Sequence, residues 1–453
     1  MDATDQPLAA RDANGGLKVG RSEATEPASE DTRVPVDRLI IAMARALDLA
    51  RPESPQHHLR VAYFSIRIAR RAAMAKKDLT ELFLAASVHD IGITGMRDDG
   101  SDSFPAGLAP IPWHAEAGQQ LLHNHPLLAG AARAIRYHHL PWSAGRGQQC
   151  DGEPVPPASN VIALAEEIDR AIRMGVPILQ QKRAIVESIC AHASRRFRDE
   201  FVEAFRQCAK EEAFWLDCVS AQLEQRLLEQ ALSAAGDVGE TALGPVAEIL
   251  GRVVDGLSPW TATHSAAVAG ACVALAELME FSPPPLLLMR AAGYLHDLGK
   301  LSIRPVTVDA IGQLSPRQRA IIRGHPYHTF RILEGLAGPL DLSEWAGFHH
   351  ERLDGTGYPF RRSGGQLTLG ARIMAVADVF AALTEGRPHR KAVSPAGAIS
   401  VLERLADSSQ LDGDVVGLLS VHREMVAAAC EKEKLTYQLR YHGLGEYAKG
   451  AAE

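Results

Sequence analysis

The chain has 453 residues, 46% hydrophobic and 23% charged, which is too long for one core, so two domains of ordinary globular composition are expected. A formal net charge of −7 without a polybasic run argues against nucleic-acid polymers as partners, and no run approaches the roughly 20 apolar residues of a membrane span. Six scattered cysteines without Cys-x-x-Cys fit free thiols in a reducing cytoplasm, and the N-terminus lacks a signal-peptide pattern, so a cytoplasmic protein is expected.

Residues 1–34 are polar and read as a disordered tail. Apolar residues at helical spacing begin near Val36 (Leu39, Ile40, Met43, Leu47) and continue to about Leu232, giving a first domain over 35–232. Residues 233–243 read as a linker, and helical patterning resumes over a second domain, 244–453. Strand-like alternation is scarce, and both domains are expected to be all-α helical bundles.

The two halves repeat each other. His57 to His89 and His264 to His296 both span 32 residues. His114 to His138-His139 and His325 to His349-His350 both span 24. His139 to Glu167 and His350 to Asp378 both span 28. Flanks agree as well: Ser87-Val-His-Asp-Ile-Gly92 matches Tyr294-Leu-His-Asp-Leu-Gly299. Matched spacings and flanks indicate a tandem duplication.

In the second half, His264 opens a helix after Ser258-Pro259, and His296-Asp297 end the next, where Gly299 suits a helix C-terminus. Ser315-Pro316 starts a third helix carrying His325; Ser343 caps a fourth ending at His349-His350; Gly370 to Thr384 is a fifth, with Asp378 at its middle. A single His-Asp pair is as readily a core histidine on a carboxylate. Five helices that each deliver an imidazole or carboxylate make the two-metal core of a bundle, and mixed His/Asp ligation suits iron, manganese or zinc better than calcium or magnesium.

His296-Asp297 with Lys300, then His349-His350-Glu-Arg-Leu-Asp-Gly-Thr-Gly-Tyr-Pro359, Ala377-Asp-Val-Phe-Ala-Ala-Leu-Thr384 and Arg387-Pro-His-Arg-Lys391, resembles the HD-GYP family over roughly residues 245–430. The resemblance implies a phosphodiesterase that hydrolyses cyclic di-GMP to pGpG, and in some members on to GMP, with two divalent metals, iron or manganese. It implies metal ligands His264, His296, Asp297, His325, His349, His350 and Asp378, with Asp297 bridging. Lys300, Gly357, Tyr358, Arg387 and Arg390 are implied to contact the substrate, with Asp297 and Lys300 as the catalytic pair. Trp260 stands where some relatives have a glutamate for a third metal, so two are expected. His389 stands where the family commonly has tyrosine.

The first copy keeps His57, His89, Asp90, His114, His138 and His139, with Glu167 in place of Asp378, and these form a second candidate metal site. Ile93 stands at the Lys300 position, Val176 and Leu179 at the two arginine positions, and His139-Leu-Pro-Trp142 replaces the Gly-Tyr-Pro loop. A degenerate HD domain that does not hydrolyse cyclic di-GMP is expected there, as a sensor, a packing partner or a hydrolase of another phosphate ester. His58, His123 and His125 are expected at surface or cap positions, and Glu351 and Asp354 as loop-shaping residues. Two rival readings of the whole chain are a non-catalytic cyclic-dinucleotide sensor and a hydrolase of another nucleotide. A homodimer or a signalling protein is the expected macromolecular partner.

Overall fold

The structure is a computed structural model that describes residues 34–93, 112–150, 152–231, 237–238, 240–258, 261–308, 314–336, 340–386 and 391–440. Among these the chain is almost wholly helical, with two short antiparallel ladders as its only paired strands. No helix of the described residues is long and apolar enough to cross a membrane.

The first domain opens with α1 (Val36–Leu49), followed by α2 (His57–Arg71), α3 (Lys76–Ser87), α4 (Trp113–Leu122), α5 (Ala129–Arg136) and α6 (Pro157–Arg170). Helices α7 (Ile178–Cys190), α8 (Asp199–Cys208), α9 (Glu212–Cys218) and α10 (Leu223–Ala231) complete it. The second runs through α11 (Glu240–Asp255), α12 (His264–Leu278), α13 (Pro283–Leu295), α14 (Pro305–Val308), α15 (Pro316–Ile322), α16 (His325–Leu333), α17 (Leu340–Gly347) and α18 (Leu369–Thr384). Helices α19 (Pro395–Asp407), α20 (Gly413–Val421) and α21 (Arg423–Arg440) complete it, α19 packing on α18 and α21 on α12.

The duplication is visible as matched helices. His57 and His264 are the first residues of α2 and α12, and His89 and His296 fall just past the ends of α3 and α13. His114 and His325 sit at the starts of α4 and α16, and α5 and α17 lead into the two His-His pairs. Glycine is required at the same place in each copy. A Cβ on Gly92 would lie 2.1 Å from the His114 carbonyl oxygen, and one on Gly299 2.0 Å from that of His325. The reason for Gly299 is therefore this close approach, since its backbone is not left-handed.

Three details differ from expectation. Ser315 caps α15 through a reciprocal bond with Gln318, but that helix ends at Ile322, and His325 starts its own with Pro326 in the first turn. Ser343 lies inside α17 instead of capping it. Of the stretch expected as linker, the described residues are structured: Asp237–Val238 pairs with Val34–Pro35, and α11 begins at Glu240.

Buried apolar side chains from both halves form one continuous cluster. Helix α1 carries its apolar face, including Ile40, Met43 and Leu47, against α2 and α3, and it also packs on Leu298–Ser302, α16 and Glu334–Leu336 of the second domain. Arg45 of α1 donates to the Arg331 carbonyl at 2.9 Å. Helix α1 thus joins the first domain to the turn that carries Lys300.

Candidate metal centre

Three histidines of the second domain present a single defined nitrogen. His296 Nδ1 lies 2.8 Å from the Gly293 carbonyl, His325 Nδ1 2.7 Å from that of Ile322, and His349 Nδ1 2.7 Å from that of Ala346. A carbonyl can only accept, so each Nδ1 carries the proton and each Nε2 offers its lone pair to the interior. The sequence produces this locally, because each histidine reaches the carbonyl three residues back at a helix end or start.

The Nε2 atoms converge in two groups. His264, His296 and Asp378 bring ligand atoms within 4.8 Å of one another, and so do His325, His349 and His350. Asp297 lies between them. Its Oδ2 is 3.2 Å from His296 Nε2 and 3.9 Å from His264 Nε2; its Oδ1 is 3.2 Å from His325 Nε2 and 3.9 Å from His349 Nε2. One carboxylate thus faces both groups, one oxygen to each.

The donor set fits metal. His325 Nε2 and His349 Nε2 are 3.0 Å apart, and both Nδ1 protons are already committed to carbonyls. Two lone pairs at that distance repel unless a cation or a proton lies between them. Burial and the neighbouring His350 hold His349 well below the usual imidazole range, and burial with His325 pushes His350 down to about 3. A metal ion suits that place better than a proton. His264 behaves oppositely. Burial alone would depress it, but the Glu385 and Asp378 carboxylates raise it to about 10. Burial would raise Asp297 and Asp378, but adjacent imidazoles hold both below the carboxylate range, with Lys300 also acting on Asp297.

Lys300 Nζ is 2.5 Å from Asp297 Oδ2, at the edge of the site. Gly357 is buried, and a Cβ there would lie 2.5 Å from the Arg352 nitrogen, so the loop closes on itself only with glycine. Glu351 holds the same loop by accepting the amides of Phe360 at 2.6 Å and Arg362 at 3.0 Å, and Asp354 accepts that of Thr356 at 2.8 Å. Tyr358 lies against His350, ring centres 4.9 Å apart, with the Arg323 guanidinium 4.0 Å from its ring centre. Arg387, His389, Arg390 and Trp260 lie outside the described residues.

Sequence reasoning missed Glu385, whose Oε2 is 2.9 Å from His264 Nδ1. The available signal was its position seven residues, or about two helical turns, after Asp378. It also missed Arg323, two residues before His325.

The first domain builds the same pattern. Asp90 Oδ2 is 3.4 Å from His89 Nε2 and 3.7 Å from His57 Nε2, while Oδ1 is 3.5 Å from His114 Nε2 and 3.8 Å from His138 Nε2. Three readings need correction here. The carboxylate in this cluster is Glu166, which is buried beside His57, His89 and Asp90. Glu167, expected in that role, is turned about 100° around the helix and pairs with Arg196 at 3.0 Å. His58 is buried rather than at the surface, with Nδ1 2.7 Å from Asp48 Oδ1. His125 is also buried and caps no helix; it sits in the turn before α5, where Nδ1 accepts the Leu127 amide at 3.2 Å.

Comparison with known proteins agrees with this architecture. A family model described as an HD domain matches residues 248–415, and another, also described as an HD domain, matches residues 56–171. The chain is 27% identical to 3'3'-cGAMP-specific phosphodiesterase 1 of Vibrio cholerae, over 83% of this chain and 89% of that protein. It is 36% identical to a cyclic di-GMP phosphodiesterase of Pseudomonas aeruginosa over 31% of this chain and 34% of that protein. A solved structure of a cyclic GMP-AMP-specific phosphodiesterase of V. cholerae superposes with a TM-score of 0.59 at 21% identity, covering 88% of this chain and 98% of that one, which shows a shared fold. With two HD domains in tandem and the Gly-Tyr-Pro loop following the second His-His pair, the chain belongs to the HD superfamily as an HD-GYP protein preceded by a second HD domain.

Proposed function

We propose that the second domain is a metal-dependent phosphodiesterase that opens a cyclic dinucleotide to its linear form. The carrying observation is Asp297, whose two oxygens face two separate groups of ligand atoms. His264, His296 and Asp378 would hold one divalent transition metal, and His325, His349 and His350 the other, with Asp297 shared. Such a pair supplies an activated water and a Lewis acid for in-line displacement at phosphorus.

The remaining residues act on the substrate. Lys300 supplies a positive charge beside Asp297, where a phosphoryl oxygen would gain negative charge. Tyr358 lies against His350 and Arg323 stacks on the Tyr358 ring, so the pair would give the nucleotide an aromatic edge and a cation on that side. Arg387 and Arg390 are assigned to the second phosphate by resemblance.

The substrate reading covers both cyclic di-GMP and 3'3'-cyclic GMP-AMP. The relatives that align over both domains are named for cyclic GMP-AMP, whereas the Pseudomonas cyclic di-GMP enzyme aligns over about a third of the chain. The test is turnover of each dinucleotide by full-length protein loaded anaerobically with iron or manganese, with products separated by chromatography. Linear product from wild type and none from Asp297→Ala is expected. Metal-loaded protein that leaves both substrates intact overturns the reading.

A further inference from the structure

We propose that the first HD domain is a second two-metal site that binds a phosphate-bearing anion, with Arg51 in the role that Lys300 has in the second. Three independent features carry this.

The donors are in place. Among the described residues, the Nε2 atoms of His57, His89 and His138 and the Oδ1 of Asp90 are buried without a hydrogen bond. His57, His89 and His138 are at most 2% exposed. His89 Nδ1 and His138 Nδ1 lie within reach of the Ala86 and Ile135 carbonyls, at 3.0 and 2.5 Å, so their Nε2 atoms are acceptors. Leaving so many buried acceptors unsatisfied is costly. Imidazole lone pairs are relieved by a cation, and the arrangement around Asp90 leaves one ion position on each side of the carboxylate.

The supporting carboxylate is present too. His57 Nδ1 is 2.6 Å from Asp169 Oδ2, as His264 Nδ1 is 2.9 Å from Glu385. Asp169 is itself fixed by Arg60. A copy kept only for packing has no need of a buried carboxylate to orient a ligand histidine.

The missing lysine is replaced from elsewhere in the fold. Ile93 occupies the Lys300 position, but Arg51, just past α1, places Nη2 2.7 Å from Asp90 Oδ2. Lys300 reaches the Oδ2 of Asp297 in the same way, and the two cationic side chains are similarly exposed, 25% and 21%. Arg170 pairs with Glu166 at the other edge. Two divalent ions and two guanidinium groups against the Asp90 and Glu166 carboxylates leave a large positive excess. That excess calls for an anion, and a guanidinium fork suits phosphate. The loop after His139 is tied to Ser194–Arg196 by the amides of Trp142, Ser143 and Ala144 at 2.8–3.0 Å, so it does not follow the Gly-Tyr-Pro course.

Metal counting tests this without reference to activity. Wild type loaded anaerobically with manganese should hold about four ions per chain, two for each site of this type. Asp90→Asn and His89→Ala should each lower that to about two, while the ions of the second domain report that the chain remains folded. Wild type that holds only about two ions, none of them lost in Asp90→Asn, overturns the metal site. For the anion, inorganic phosphate is titrated calorimetrically into manganese-loaded Asp297→Ala, which leaves the first site intact. Adding Arg51→Ala should weaken phosphate binding at least tenfold with the metal count unchanged. Affinity unmoved by Arg51→Ala, or no phosphate binding at all, overturns the anion assignment.

Discussion

Glu385 Oε2 lies 2.9 Å from His264 Nδ1, and the same ring turns its Nε2 to within 3.3 Å of Asp378. Glu385 therefore fixes both the orientation and the protonation of a histidine proposed to face a metal. A carboxylate in that position raises ligand basicity, and its loss commonly costs about 10–100-fold in metal affinity. Glu385→Ala should show a loss of that size when manganese is titrated in, with the helix content unchanged by circular dichroism.

The same pair makes metal uptake depend on pH. In metal-free protein His264 is raised to about 10, so at neutral pH its ring carries protons toward both carboxylates. A metal ion takes the place of the Nε2 proton, so binding releases that proton and strengthens as pH rises. The folded metal-free state binds this proton more tightly than the unfolded chain does. Its contribution to stability is full below about 6.5 and is lost as pH climbs to about 10. The melting temperature of metal-stripped protein should fall across that window, and Asp378→Asn should flatten the fall.

Lys300 separates charge stabilisation from metal binding. Its Nζ touches only one oxygen of Asp297, and the ligand histidines do not depend on it for their tautomers. Lys300→Ala should leave the manganese content near wild type while kcat falls about 10²–10³-fold, the range for removing a donor aimed at developing charge. Lys300→Arg should recover part of the loss. A variant that loses its metal instead would place Lys300 in the ligand framework.

The parts that could be read from the sequence were those fixed by short-range spacing. The two His-Asp pairs, the two His-His pairs and the histidines that open α2 and α12 all sit at helix ends, where a count along the chain locates them in space. Glu166 shows the limit of such counting. A one-residue slip is invisible in a spacing match, yet on a helix it turns the side chain from the buried cluster to Arg196. Arg51 shows another. It reaches Asp90 from a different element, so inspecting only the position equivalent to Lys300 finds Ile93 and misses the cation. Glycine at 299 was legible as a stop signal, but its physical reason is a contact with His325, which only the packing of α16 reveals.

That contact makes the last prediction. A Cβ on Gly299 would stand 2.0 Å from the His325 carbonyl oxygen, a backbone atom that cannot swing away. The Gly299 amide also donates to Thr329 Oγ1 at 2.9 Å, and Thr329 in turn donates to the His296 carbonyl at 2.9 Å. Alanine would drive α16 off the His-Asp turn and separate His325 from Asp297. Gly299→Ala should destabilise by at least the about 1–3 kcal/mol usual for overpacking, with loss of metal from the His325 side. Gly92→Ala should be equally damaging to the first domain, because its Cβ would meet the His114 carbonyl at 2.1 Å. Gly417, inside α20, has nothing within 4 Å of a Cβ, so Gly417→Ala should instead stabilise by about 0.5–1 kcal/mol. Denaturant melts of the three variants check the signs, and a Gly299→Ala protein as stable as wild type would refute the packing of the His-Asp turn on α16.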